Sequence, residues 1–267
     1  GVPVISEIEL AWSLCPATVI AITGTNGKTT VTSLTALVLA AGGYRAFSLG
    51  NIGKPFCAEV SGMKREDFVS LEVSSFQLER IVKFRPKVSV ILNFTVDHLD
   101  RYSSMNEYLT AKKRIFMNQG EGDYLVLNYD DVVLRDLASH GQAKVVFFGR
   151  QSESKDMGGD LNSNYLAVMA VAKIFGIPAD KCLEVFKGFK GLEHRLEFVR
   201  NIRSVDFVND SKATNVNSTA WALKNIRKPA VLIAGGRDKG SDYGVISGLI
   251  KEKVKFLERA KSRGYSK

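Results

Sequence analysis

The chain has 267 residues, 45% hydrophobic and 24% charged, a composition that suits a globular protein of one large domain or two small ones. Its formal net charge of +9 favours anionic partners such as nucleotides and phosphates, but the basic residues are scattered except in 251–267, and no RNP-type or zinc-finger pattern points to nucleic acid. No run approaches the roughly 18 apolar residues of a membrane helix; the opening GVPVISEIEL carries acids and no basic-then-apolar block; and Cys15, Cys57 and Cys182, far apart and odd in number, suggest no disulfide framework or metal cage.

A cytoplasmic protein with reduced thiols is the expectation. In chain order, ATVIAI (17–22) reads as a buried strand and TTVTSLTALVLAAGG (29–43) as a helix ended by Gly42 and Gly43. DFVSLEV (67–73) is a strand, and Phe76, Leu78, Ile81 and Val82 have helical spacing over 74–84. PKVSVILNF (86–94) is a strand, and 104–118 a helix with Ser104 and Glu107 at capping-box spacing. DYLVLN and AKVVFFG are strands around a helix at 130–139, and 164–188 is helical. From about 192 a second α/β unit follows: strand SVDFVND, helix NSTAWALKNI, strand PAVLIAGG and a helix from about 243. Strands alternating with helices predict parallel βαβ units, and continuous apolar strands predict a sheet covered on both faces. Two domains are expected, 1–191 and 192–267, with 150–160 as a flexible polar loop.

The stretch AITGTNGKTT (21–30) lies between the first strand and the first helix. A loop there presents backbone N–H groups at the positive helix end, and glycines let the backbone approach an anion closely. Lys28 then reaches a β- or γ-phosphate, and the Thr29 hydroxyl suits Mg²⁺. The strict form G-x-x-x-x-G-K-[ST] fails, because Ile22 stands where its first glycine belongs. The shorter Gly24-Thr25-Asn26-Gly27-Lys28-Thr29 remains, with a plain strand-to-helix turn as the competing reading.

Four later strings accompany it: GNIGKP (50–55), LEVSSFQLE (71–79), NFTVDHLDRY (93–102) and NDSKATN (209–215). In this order and at these separations the chain resembles the Mur ligase family over nearly its whole length, and within that family the branch that adds D-glutamate. The resemblance implies a P-loop-type, mostly parallel sheet with flanking helices, the family's central ATP-binding domain, followed by a partial Rossmann-like second domain. It implies an ATP-dependent amide ligase of peptidoglycan precursor synthesis, active through an acyl phosphate on UDP-N-acetylmuramoyl-L-alanine, with Mg²⁺ as cofactor. Partners would be these small molecules, with no nucleic acid or membrane span and a monomeric protein.

Carried onto this sequence, residues Gly24 to Thr30 would hold ATP, with Lys28 on the β- and γ-phosphates and Thr29 on magnesium. Glu72, at a strand's end, would be a magnesium ligand; on its own it reads equally as a helix N-terminal acid. Asn51 and Ser74 would touch the muramoyl substrate; alone they read as a turn residue and a helix N-cap. His98 would serve the second metal, with Asp97 and Asp100 beside it readable as turn acids. Lys112 matches the family's carbamylated lysine; the bland alternative is a solvated helix lysine next to Lys113. Asn164 and Arg195 would reach ATP, with His194 as support for Arg195. Asp210 would bind the ribose, Lys212 and Thr214 the nucleotide and D-glutamate sides, and Lys239 the amino-acid carboxylate.

Three departures from the family pattern stand out. The chain begins at what resembles the linker into the central domain, and stops soon after GGRDKGSDY, where a second domain would continue; both point to a fragment. Where the family carries HNxxN, this chain has DLNSNY, with Leu161 in place of the first Asn. Competing readings are a folylpolyglutamate synthase-like ligase, against which NDSKATN and SSFQLE count, a nucleotide-binding module without turnover, and a generic NTPase.

Overall fold

The computed structural model describes residue 2 and residues 4–97, 101–150, 161–236 and 242–260. Two compact units emerge, one of residues 1–94 and 105–189, the other of 95–104 and 190–267.

In the first unit the chain runs through α1 (Glu7–Leu14), β1 (Thr18–Thr23), α2 (Lys28–Ala41), β2 (Ala46–Gly50), β3 (Phe68–Glu72), α3 (Ser75–Leu78) and β4 (Val88–Ile91). It continues with α4 (Met105–Lys113), β5 (Tyr124–Asn128), α5 (Val132–Asp136), β6 (Lys144–Phe148), α6 (Ser163–Ile174) and α7 (Ala179–Gly188). The strands form one six-stranded sheet in the order β2-β3-β1-β4-β5-β6, every pairing parallel.

Both faces are buried. Ile20 and Ile22 of β1, Val88 and Val90 of β4, and Val126 of β5 join a core with Val31 and Leu34 of α2 and Leu166 and Ala170 of α6. The alternate residues Val19, Ala21, Ile91, Leu125 and Leu127 join a second core with Ile8 and Ala11 of α1. Period-2 alternation between two apolar layers is why these strands read as unbroken hydrophobic runs. Of the buried strand hydroxyls, Ser70 bonds the Thr32 carbonyl and Ser89 that of Ile115, while those of Thr23 and Ser48 have no hydrogen-bond partner.

Register matters for function. Ile22 of β1 lies beside Glu72 of β3 and Val90 of β4, so the carboxyl ends of the three central strands are level. The strand order reverses about β1, the place where doubly wound sheets take ligands.

The second unit holds β7 (Glu197–Ile202), β8 (Val205–Asn209), α8 (Val216–Asn225), β9 (Ala230–Gly235), α9 (Ser247–Lys253) and β10 (Val254–Ala260). β9 and β10 pair in parallel around the α9 crossover. β7 and β8, however, form an antiparallel hairpin, where sequence reasoning expects only parallel units. Its two-residue turn, Arg203 and Ser204, has both φ values positive (48° and 66°), the twist that tight hairpins need, without the usual Asn or Gly to announce it.

The expected helix over 74–84 is reduced to α3. The N–H groups of Val82, Lys83 and Phe84 turn instead to the buried carboxylate of Glu9, at 2.8–2.9 Å. Helix 104–118 shortens to α4 and a single 3₁₀ turn over Arg114–Phe116.

Candidate active site at the carboxyl ends of the central strands

β1 runs through Ile22 and Thr23, so the turn into α2 is only residues 24–27. That is why the longer glycine form has no room here. Gly24 and Gly27 have φ of +154° and +83°. Gly27 is the N-cap of α2 and has no side chain to cap it, and no acid lies in the helix's first turn. A 14-residue helix therefore presents its positive end at the loop, with nothing anionic of its own placed there. Lys28 folds its ammonium over the loop, donating to the Gly24 and Thr25 carbonyls at 3.0 Å each.

Lys112 reaches the same loop from α4. It is only 1% exposed, its Nζ donates to the Gly24 carbonyl at 3.0 Å, and it lies 4.5 Å from the centroid of the Tyr108 ring. A solvated helix lysine is therefore not what the structure holds. Two lysines converge on one glycine carbonyl, eighty-eight residues apart in sequence for Lys112.

Glu72 closes β3 and is 2% exposed. Its Oε1 accepts from Asn51 Nδ2 at 2.9 Å, and its Oε2 is buried without a hydrogen-bond partner. An unsatisfied buried carboxylate oxygen is costly unless something absent from the chain completes it. A hard divalent cation, which takes oxygen ligands, fits that donor, with the Thr29 hydroxyl as a second oxygen of the right type. Asn51 is placed by Gly50, whose φ is +95° and on which a Cβ would collide with the Glu72 carbonyl. Ser74 serves as N-cap of α3 in a capping box with Gln77, so its hydroxyl has a structural partner.

Residues 22–187 match the Mur ligase middle domain. The chain belongs to the Mur ligase family. It is 41% identical to the UDP-N-acetylmuramoylalanine--D-glutamate ligase of Pelotomaculum thermopropionicum, an alignment of 285 residues covering 96% of this chain and 63% of that protein. The chain thus spans less than two thirds of the length of that curated relative. In fold it is similar to MurF from Acinetobacter baumannii, with a TM-score of 0.73 at 16% identity, covering 94% of this chain and 70% of that one. It is also similar in fold to a bifunctional folylpolyglutamate synthase/dihydrofolate synthase solved with Mn, AMPPNP and L-glutamate, with a TM-score of 0.70 at 16% identity, over 97% of this chain and 80% of the other.

Of the remaining residues singled out by the Mur ligase pattern, Asn164 sits against the phosphate loop: a Cβ on Gly27 would overlap its Oδ1. Leu161, in place of the family's first Asn, packs on the hydrophobic core beside α6, and Asn162 caps that helix through the N–H groups of Asn164 and Tyr165. In the second unit, Asp210 directly follows β8 and accepts from the Leu196 N–H at 3.0 Å. Burial pushes the Asp210 carboxyl above the usual range, opposed by that hydrogen bond and by Arg195. Arg195 lies between His194 and Leu196, both with positive φ (65° and 44°). The His194 carbonyl accepts from the Lys212 N–H, and its Nδ1 is 2.7 Å from Asn209 Nδ2, so the 194–196 turn and NDSKATN are stitched together. Lys212 and Thr214 are exposed. Asp97 accepts from Asn215 Nδ2 at 3.1 Å. His98, Asp100 and Lys239 lie outside the described residues.

Sequence reasoning missed Asn93. It stands in the quoted NFTVDHLDRY string, immediately after the strand, and bonds the backbone of Asn26 twice. Nothing in its local sequence separates it from an ordinary strand-end Asn.

Proposed function

We propose that this chain supplies the ATP site and the central catalytic groups of a ligase that joins D-glutamate to the terminal carboxylate of UDP-N-acetylmuramoyl-L-alanine. The observation that carries this reading is the convergence of Lys28 and the buried Lys112 on Gly24. The choice of D-glutamate is supported by the identity to a protein named for that reaction.

The chemistry is charge management. A carboxylate must attack the γ-phosphorus of an anionic nucleotide; the γ-phosphoryl moves to the carboxylate oxygen, ADP leaves, and the amine of D-glutamate then displaces phosphate from the acyl carbon. Gly24 to Thr30 cradle the phosphates, Lys28 neutralises the β- and γ-oxygens, and helix α2 adds its positive end. Glu72, Thr29 and His98 would hold Mg²⁺, which when bound neutralises the charge developing between nucleotide and carboxylate. Lys112 adds CO₂ on its neutral amine to give a carbamate and a proton, turning a buried cation into an anionic oxygen donor of the type that Mg²⁺ prefers. Asn51 and Ser74 face the muramoyl substrate. By the family resemblance, Asn164 of the first unit would serve adenine; in the second unit Arg195 would reach ATP, Asp210 the ribose, Lys212 and Thr214 the nucleotide and D-glutamate sides, and Lys239 the amino-acid carboxylate. The protein works as a cytoplasmic monomer on small-molecule substrates.

The test is ADP release by the full-length protein, with each substrate omitted in turn. Turnover that needs both UDP-N-acetylmuramoyl-L-alanine and D-glutamate, and that disappears in Lys28→Ala, is the expected result. ATP hydrolysis without an acceptor, or coupling to L-glutamate on a folate, would overturn it. For Lys112→Ala, activity should be lost and partly restored by bicarbonate or a short-chain carboxylic acid; absence of rescue removes the carbamate and leaves the ligase reading standing.

A further inference from the structure

Residues 92–94 leave β4 directly beside the phosphate loop. The β1–β4 ladder continues past the strand ends: the Leu92 N–H bonds the Thr23 carbonyl at 3.0 Å, and the Thr25 N–H bonds the Asn93 carbonyl at 3.1 Å. There the backbone pairing stops and the Asn93 side chain takes over. Its Oδ1 accepts the Asn26 N–H at 2.8 Å, and its Nδ2 donates to the Asn26 carbonyl at 3.0 Å. A primary amide thus imitates one more residue of an adjoining strand, offering an acceptor and a donor at the right separation.

The clamp is itself fixed. Asn128 Nδ2 donates to the Leu92 carbonyl at 3.1 Å, and Asp131 Oδ2 accepts the Phe94 N–H at 2.8 Å. Gly24 permits the close approach, since a Cβ there would come to 3.0 Å from Leu92 Cβ. What Asn93 holds are the two peptide planes that flank Asn26, 25–26 through its N–H and 26–27 through its carbonyl. The 26–27 plane carries the Gly27 N–H and leads into the first turn of α2, whose N–H groups face an anion only when it is fixed.

We propose that Asn93 is a positioning residue that holds the phosphate loop in its anion-accepting form before nucleotide arrives, by clamping the Asn26 backbone from both ends. The proposal rests on the phosphate-loop reading given above. No other side chain substitutes: Asp lacks the donor, Leu lacks both groups, and Gln is one methylene too long.

The experiment uses the full-length protein in wild-type, Asn93→Ala, Asn93→Asp and Lys28→Ala forms. It measures AMPPNP binding with Mg²⁺, KM for ATP and for D-glutamate, and amide exchange at Asn26. In Asn93→Ala the AMPPNP Kd and the ATP KM should rise about tenfold, the loss of one to two neutral hydrogen bonds. KM for D-glutamate should stay put while Asn26 exchange accelerates. Asn93→Asp keeps the shape and the Asn26 N–H bond without the donor, and should also raise KM for ATP, which covers the case of an Ala variant that does not fold. Unchanged ATP constants in either folded Asn93 variant, with Lys28→Ala defective, overturn the clamp and leave the phosphate loop intact. A wild-type protein that binds no AMPPNP, or a Lys28→Ala protein that binds it normally, overturns both.

Discussion

Gly27→Ala tests the phosphate loop through its geometry. The residue has φ of +83°, and its added Cβ would overlap Asn164 Oδ1. The left-handed backbone costs an alanine about 1–2 kcal/mol. The overlap is with the far end of a flexible side chain, so turning it aside costs about 0.5–1.5 kcal/mol. Together these give about 1.5–3.5 kcal/mol, and the chain has two ways to take it. If the loop keeps its form, the loss appears as stability, about 3–14 °C in Tm at about 2–4 °C per kcal/mol for a domain of this size. If the loop relaxes, Tm holds and the same energy reappears on binding, as AMPPNP affinity about 10- to 400-fold weaker. The two losses should therefore sum to a constant. Thermal unfolding and calorimetric titration on one sample measure both. Adding Asn164→Ala in a double-mutant cycle should return the side-chain share, about 1 kcal/mol, and none of the backbone share. A Gly27→Ala protein with both Tm and Kd unchanged would refute the reasoning, as would a cycle without coupling.

Glu9→Ala leaves the buried Phe84 N–H without its acceptor while the exposed Val82 and Lys83 rehydrate, so urea unfolding should show a loss of about 2–4 kcal/mol. Glu9→Gln, able to keep the two bonds made by Oε2, should lose about 1 kcal/mol, and equal losses in the two variants would show that the carboxylate is not what holds this turn. Asp210→Asn should raise Tm at alkaline pH, because burial holds the folded-state carboxyl above its usual range and ionised Asp210 therefore costs the native protein stability. That cost is full above the folded value, shrinks as pH falls through it, and is gone below the unfolded value, so the gain of the variant should fade in acid; a gain independent of pH would point to packing instead.

The parallel sheet was legible because each central strand faces two apolar layers, so one sequence run reports both. Several elements were not. β2 is a short strand at the sheet's edge, ending in a glycine whose left-handed backbone turns the chain toward Glu72. β7 and β10 are largely exposed, and their charged residues hide the strand pattern. The helix expected over 74–84 had the right period but lost its last N–H groups to Glu9, 73–75 residues earlier. Periodicity reports which face a residue turns to the core; it does not report a distant carboxylate competing for the backbone.

Lys112 and Lys113 show where a finer use of the same signal would have sufficed. By composition the two are interchangeable. By spacing they are not: Tyr108, Ala111, Lys112 and Ile115 stand at i, i+3, i+4 and i+7, and all four are buried. Lys113 falls off that stripe and is half-exposed. An ammonium on the apolar face of a helix is expensive unless it is partnered. Among its partners are the Gly24 carbonyl and the Tyr108 ring. A position that called only for packing would take Leu or Met at no such cost. A lysine held there, against the loop that faces the nucleotide, is held for its nitrogen. That argument needs only the helical stripe, the identity of the residue in it and the loop it meets, and two of the three are readable from the sequence.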